Sequence, residues 1–186
     1  MVNVRPRTTS GHHTHTRVAM STAAATLPPP PGFTLKDFTA LSPKERVAVA
    51  QRVAKLERKI FPSNEGFDYD VELKKKNIGL ILAFKEDDLT QVVAYLVYQR
   101  MKRVIWLHKL CVIEQERQKG IGKCLIYALC HQMNKSGGES IQLWVDEHRG
   151  PARELYKACG FQQIEVRPDY YAPGRAGLKM EVSIGK

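Results

Sequence analysis

No acidic residue occurs before Asp37. Residues 1–32 are instead rich in Thr, Ser, His, Ala and Arg and end in Pro28-Pro29-Pro30-Pro31-Gly32, a composition that cannot pack a core. This arm is expected to be a disordered or targeting segment. Its acid-free composition resembles an organellar transit peptide, and Met20 offers an internal start. A mitochondrial or plastid location therefore stays open beside a cytoplasmic or nuclear one.

Long apolar runs are also missing. Stretches such as Ile78 to Phe84 fall far short of the roughly 20 residues that a membrane-spanning helix needs, so a soluble chain with no membrane partner is expected. The four cysteines, Cys111, Cys124, Cys130 and Cys159, match no zinc spacing and follow no secretory signal. Reduced intracellular thiols and no metal are expected, with Cys111 and Cys124 as small core residues. The net charge of +10 suggests a polyanionic partner, but Arg5, Arg7 and Arg17 belong to the N-terminal arm. The densest basic run, Lys74-Lys75-Lys76, reads as a solvated helix end without interleaved aromatics, so no nucleic acid is expected. An anionic cofactor accounts for part of the excess. No internal repeat is evident.

What is present is ordinary for one globular domain: 186 residues, 43% apolar and 26% charged. The domain is expected over 33–186. Phe33 to Phe38 reads as a strand. Ser42-Pro43-Lys44-Glu45 supplies an N-cap, a proline at the first helical position and a capping-box Glu for a helix with Val47, Ala50, Val53, Ala54 and Leu56 on its apolar face. Asp68 to Asn77 reads as a second short helix. Ile78 to Lys85, Gln91 to Arg100 and Val104 to Ile113 form a β-meander. A helix from about Gly120 to Lys135 follows, then a strand around Ile141, Leu143 and Val145, a helix from Pro151 to Gly160, and strands at Phe161 to Val166 and Leu178 to Ser183. The order β-α-α-β-β-β-α-β-α-β-β predicts an α/β (α+β) mixed sheet, an antiparallel meander with helices on both faces.

The most informative local feature is Arg117-Gln118-Lys119-Gly120-Ile121-Gly122, a Gly-rich turn between an apolar strand and an amphipathic helix. Two glycines let backbone approach an anion, and the helix behind presents unpaired N–H groups and the positive end of its dipole. A Walker A turn would need Gly at Arg117 and Ser or Thr at Cys124. A dinucleotide fingerprint would need a small residue at Leu125 and a parallel βαβ unit. Both fail.

The turn instead resembles the acetyl-CoA loop of the GNAT family of N-acetyltransferases, Arg/Gln-x-x-Gly-x-Gly/Ala after a strand. A second family segment, Ala-x-x-x-Tyr-x-x-x-Gly-Phe, stands here as Ala152 to Phe161, with Tyr156 at its centre. The resemblance covers roughly Phe33 to Ser183 and implies the GNAT-like acyl-CoA N-acyltransferase fold, with a splayed gap in the sheet for the cofactor. It implies that Leu110, Cys111 and Val112 pair with pantetheine. It also implies that the backbone of Arg117, Gln118, Lys119, Gly120, Ile121, Gly122 and Lys123 takes the pyrophosphate. The family often has Asn at the position of Arg149, which here either reaches the cofactor's phosphates or leaves that contact unmade.

Acetyl transfer from a thioester to an amine needs a neutral amine, a stabilised oxyanion and a proton for the departing thiolate. The resemblance implies the Val112 N–H for the oxyanion and Tyr156 as general acid. Trp106 stands where many members carry a carboxylate or Tyr as base and cannot take a proton. His108 coincides with a histidine of arylalkylamine-type members, and its ordinary pKa of about 6.5 suits base work. For the acceptor, Glu65, Asp68 and Asp70 offer attraction to a cation, while Tyr170 and Tyr171 are similar to a tyrosine pair that walls the peptide slot in members acting on protein N-termini. An α-amine, with a pKa near 8 against about 10.4 for lysine, needs less help from a base. The expected activity is transfer from acetyl-CoA to a primary amine by direct attack, foremost a protein or peptide amine. A small-molecule amine (arylalkylamine or polyamine) acetyltransferase and a catalytically inactive CoA-binding module remain the alternatives.

Overall fold

The computed structural model describes residues 27–60 and 66–184. Seven strands, β1 (Phe33–Asp37), β2 (Ile78–Lys85), β3 (Val92–Met101), β4 (Val104–Val112), β5 (Ser140–Asp146), β6 (Gln162–Ala172) and β7 (Arg175–Ser183), form one sheet in the order β1-β2-β3-β4-β5-β7-β6. Every neighbouring pair is antiparallel except β4 and β5. The helices are α1 (Pro43–Ile60), α2 (Tyr69–Glu72), α3 (Ile121–Lys135) and α4 (Gly150–Ala158), with short 3-10 turns at Phe38–Ala40 and Glu114–Glu116. The succession of strands and α-helices is the expected one, and no described helix is long and apolar enough to cross a membrane.

Two cores sandwich the sheet. Ile81 and Ala83 of β2 join α3 residues such as Leu125 and Leu129, whereas Leu80, Leu82 and Phe84 join Val49 and Val53 of α1. Because both faces of β2 are covered, its sequence is a continuous apolar run rather than an alternation. The capping box forms: Ser42 N donates to Glu45 Oε2 at 2.7 Å, and Glu45 N donates to Ser42 Oγ at 3.4 Å.

Three expectations need correction. Val47 is 61% exposed, and the buried stripe of α1 is Val49, Ala50, Val53 and Glu57. The second helix is one turn long, not ten residues, because strand pairing claims its end. Asn77 O accepts the Arg100 N–H at 2.7 Å, and three consecutive lysines add repulsion rather than a packing face. Finally, β6 and β7 extend to a tight hairpin turn at Pro173-Gly174, where Gly174 has φ +72°. Tyr170 and Tyr171 therefore belong to a strand. The ladder slips between Arg167 and Ala172, and Asp169, at φ +54°, accepts the Gly174 N–H at 2.6 Å to hold that irregular stretch.

Candidate active site

Strands β4 and β5 pair only over Val104–Trp106 and Ser140–Gln142. Beyond these residues β5 stays with β7 as far as Asp146, and β4 stays with β3 as far as Val112, so the two strands part. The opening is a cavity of about 280 Å³ whose lining includes His108, Leu110, Arg149, Tyr156, Tyr170 and Tyr171. Six residues singled out in the sequence thus meet in one cleft.

Antiparallel bonding alternates along a strand. Ile113 N donates to Val93 O at 2.9 Å, which turns the amides of Cys111 toward β3 and those of Leu110 and Val112 toward the gap. Cys111 accordingly departs from its expected place beside pantetheine. Its side chain is buried in the core under α1, where burial pushes the thiol pKa up to about 11. The Val112 carbonyl accepts from Arg117 Nε at 3.2 Å.

A β-bulge sits at His108. Val97 faces Lys109 and Tyr98 faces Leu107, leaving His108 as the extra residue. Before it Ile105 and Leu107 point to the α3 side; after it Leu110 and Val112 do. The ring Nε2 lies 3.2 Å from Gln99 Oε1. An amide oxygen only accepts, so in the neutral ring Nε2 carries the proton and Nδ1 keeps its lone pair. Desolvation by the cleft walls, including the Phe67 ring with its centroid 6.4 Å away, lowers the His108 pKa. Glu72 opposes that shift and Lys109 adds to it.

At the other end of the cleft, α3 begins on Gly120, whose φ of +81° suits glycine, after Gln118 at φ +62°. No side chain caps this helix, and Cys124 N donates to Gly120 O at 3.0 Å. The N–H groups of Ile121, Gly122 and Lys123 precede the first α-helical bond, which leaves them to an anion. Lys119 does not aim its ammonium at that point. It binds Glu116 Oε2 at 2.6 Å, and the same carboxylate takes Lys85 at 3.4 Å. Lys123 lies over the Tyr127 ring, 5.7 Å from its centroid.

Tyr156 on α4 is buried against Phe161, with ring centroids 5.6 Å apart. Burial drives its pKa well above the ordinary value of 10, and Arg149 at the start of α4 opposes the shift. The phenol therefore stays protonated at neutral pH. Asp146 is buried at the cleft wall, bonded to the Arg175 guanidinium and accepting the His148 N–H at 2.9 Å. Burial raises its pKa, but those donors outweigh it and hold the carboxyl below the usual range.

Asp68 is placed elsewhere. Its carboxylate caps α2 by accepting from Asp70 N and Val71 N, and with Asp70 it lines a separate cavity against α1. Glu65 lies outside the described residues. The residues that sequence reasoning missed include Phe67, Trp144 and Asp146 in the cleft wall, and Arg175, which binds Asp146. For Trp144 a signal existed, since it alternates with core residues Leu143 and Val145 and so faces away from α3. Among the described residues, no group of three or more His, Cys, Asp or Glu side chains is arranged to hold a metal ion.

The family model for the acetyltransferase (GNAT) family matches residues 45–161. The chain belongs to that family. This N-acetyltransferase is 28% identical over 148 residues to the N-alpha-acetyltransferase of Sulfurisphaera tokodaii, covering 73% of this chain and 87% of that one. Its fold is similar to that of Arabidopsis thaliana NAA60 in complex with acetyl-CoA, with a TM-score of 0.66 at 16% identity over 82% of this chain and 98% of the other. It is equally similar to an aminoglycoside 6'-N-acetyltransferase from Enterococcus faecium, with a TM-score of 0.66 at 18% identity over 81% and 97%. Such likeness shows the fold. It does not select an acceptor.

Proposed function

We propose that residues 33–186 form an acetyltransferase domain that moves the acetyl group of acetyl-CoA directly onto the α-amine of a protein or peptide. The observation that carries this reading is the parting of β4 and β5, which sets His108, Tyr156 and the tyrosine pair around one cleft beside the uncapped start of α3. Acetyl-CoA fits this frame: the inward-facing amide groups of Leu110 suit pantetheine, the inward-facing Val112 N–H suits the thioester carbonyl, and the first N–H groups of α3 suit the pyrophosphate. Arg117, whose Nε meets the Val112 carbonyl, and Arg149, at the start of α4, supply cations for the phosphates.

In the transfer, a carbon–nitrogen bond forms to the acceptor amine and the carbon–sulfur bond of the thioester breaks. His108 Nδ1 takes the proton that the amine loses. The Val112 N–H faces the carbonyl oxygen as it becomes anionic, and Tyr156 gives its proton to the departing sulfur. The high pKa of Tyr156 suits this role, because the burial that raises it also raises the basicity of a thiolate released beside it. The relative in Sulfurisphaera tokodaii supports the α-amine over lysine.

The test is thiol release by the full chain with acetyl-CoA and a panel of amines: free-N-terminus peptides, N-blocked lysine peptides, spermidine and phenethylamine. Mass spectrometry locates the acetyl group. Acetylation at α-amines is expected; turnover confined to lysine side chains or spermidine, or none at all, overturns the proposal.

A further inference from the structure

The acceptor half of the cleft is built of rings. Phe67 lines it from the segment before α2, Trp106 from β4, Trp144 from β5, and Tyr170 and Tyr171 from β6. Trp144 and Tyr170 stack with centroids 4.5 Å apart at 16°, and Tyr171 meets Tyr170 edge-on at 5.0 Å. Glycine makes the stack possible: a Cβ on Gly177 would sit 2.7 Å from the Tyr170 ring, so only a bare backbone lets that ring lie across β7. Yet Tyr170 remains 41% exposed, a large aromatic surface held in place and left for a ligand to cover.

Charge around the rings has the wrong sign for a polycation. Lys179 lies over Trp106 at 5.1 Å, and Arg167 lies 5.0 Å from the Trp144 centroid and 5.7 Å from that of Tyr170. The described carboxylates beside this wall are engaged: Asp146 with Arg175, Glu165 with Arg167, and Glu147 with the Ala176 N–H. The whole cleft, at about 280 Å³, is at the small end for ligand pockets, so its acceptor half has room for no more than one side-chain-sized group next to the reacting nitrogen.

From these contacts, and resting on the transfer reaction proposed above, we infer that the acceptor carries a large aromatic group two carbons from its amine, the 2-arylethylamine skeleton. That skeleton occurs in a peptide beginning with Phe, Tyr or Trp and in a free arylethylamine. Its ring packs on the Trp144 and Tyr170 wall, and a polyamine is disfavoured because the described carboxylates beside that wall are already engaged.

The experiment measures kcat/KM of the full chain for otherwise identical peptides beginning with Ala, Ser, Leu, Phe or Tyr, alongside phenethylamine and spermidine. A preference of about tenfold or more for Phe or Tyr over Ala is expected, with spermidine poorest. Trp144→Ala should shrink the Phe-to-Ala ratio toward one, and Gly177→Val, which pushes Tyr170 off the wall, should do the same. Preference for phenethylamine over Phe peptides would assign the skeleton to a small amine; the reverse assigns it to a protein terminus. Equal or better rates for Ala and Ser peptides, or a ratio unmoved in Trp144→Ala, overturn the ring pocket while leaving amine acetylation standing. Absence of turnover on every amine would instead sink the transfer reaction itself.

Discussion

Glu57 Oε1 lies 2.8 Å from Lys109 Nζ, with both side chains buried, and the same oxygen accepts the Phe67 N–H at 2.8 Å. The other carboxylate oxygen takes the Tyr69 hydroxyl, and Tyr95 approaches it at 3.5 Å. One side chain of α1 therefore ties β4, next to His108, to the segment that presents Phe67 to the cleft. Removing a partner from a buried ion pair leaves an uncompensated charge, which costs about 3–5 kcal/mol. Glu57→Ala should lose that much in urea unfolding, and the double change Glu57→Leu with Lys109→Met should recover only the part due to the stranded ammonium, because the Tyr69 hydroxyl and the Phe67 N–H still lack their acceptor. A loss under about 1 kcal/mol for Glu57→Ala would mean that water replaces the carboxylate.

His108 should set the acid limb of activity. Its pKa is lowered from 6.5, so the ring is neutral at pH 7 and takes a proton only as pH falls through that lowered value. The base is therefore available above the shifted pKa and lost below it. Folding follows the same sign, because below 6.5 the unfolded chain binds the proton more readily. A pH profile of kcat/KM should show two limbs, one under pH 6.5 from His108 and one near about 8 from the acceptor α-amine. His108→Gln should lower kcat by roughly 10²-fold and erase only the lower limb. Persistence of that limb in the variant would assign it to another group.

Regular alternation and capping signals made most of the fold legible. The strand runs, the Ser42 and Glu45 capping box and the strand-to-helix turn at Gly120 each follow from local chemistry that needs no partner. Features created by pairing were not legible. The bulge at His108 shifts the side-chain alternation by one, so strict period two carried on from Leu107 would put Cys111 on the α3 side when it is buried under α1. The run Arg117-Gln118-Lys119 does not show where the Lys119 ammonium goes: Glu116, three residues before it, captures it. Asp68 could have been read as a cap, since it stands immediately before a helix, where its side chain accepts from the N–H groups of Asp70 and Val71. The hairpin of β6 and β7 depends on Gly174 and Gly177 together, one for the turn and one for the Tyr170 ring, and neither glycine alone announces a strand.

Tyr156→Phe isolates proton transfer from packing. The ring is buried against Phe161, so the variant keeps its shape and loses only the hydroxyl. A fall in kcat of about 10²- to 10⁴-fold is expected, with the dissociation constant of coenzyme A unchanged by titration calorimetry. Unaltered turnover would remove Tyr156 as the acid, and parallel loss of coenzyme affinity would recast it as a binding residue.

Gly120 gives the sharpest test of the phosphate end of the site. Its φ of +81° is one that a side chain adopts at a cost of about 1–2 kcal/mol, yet the nearest atom to an added Cβ is Pro30 Cγ at 3.8 Å. There is room for a side chain, so the strain is modest and the fold should survive. A carboxylate at the start of α3 is even favourable for the free helix, because it sits at the positive end of the dipole. It would nevertheless occupy the N–H groups of Ile121 to Lys123 that a pyrophosphate requires, and repel it by charge. Gly120→Asp should therefore unfold within about 2 kcal/mol of the parent while losing coenzyme A binding by at least roughly 10²-fold, and Gly120→Ala should lose far less. Normal coenzyme affinity in Gly120→Asp would move the phosphate site away from the start of α3.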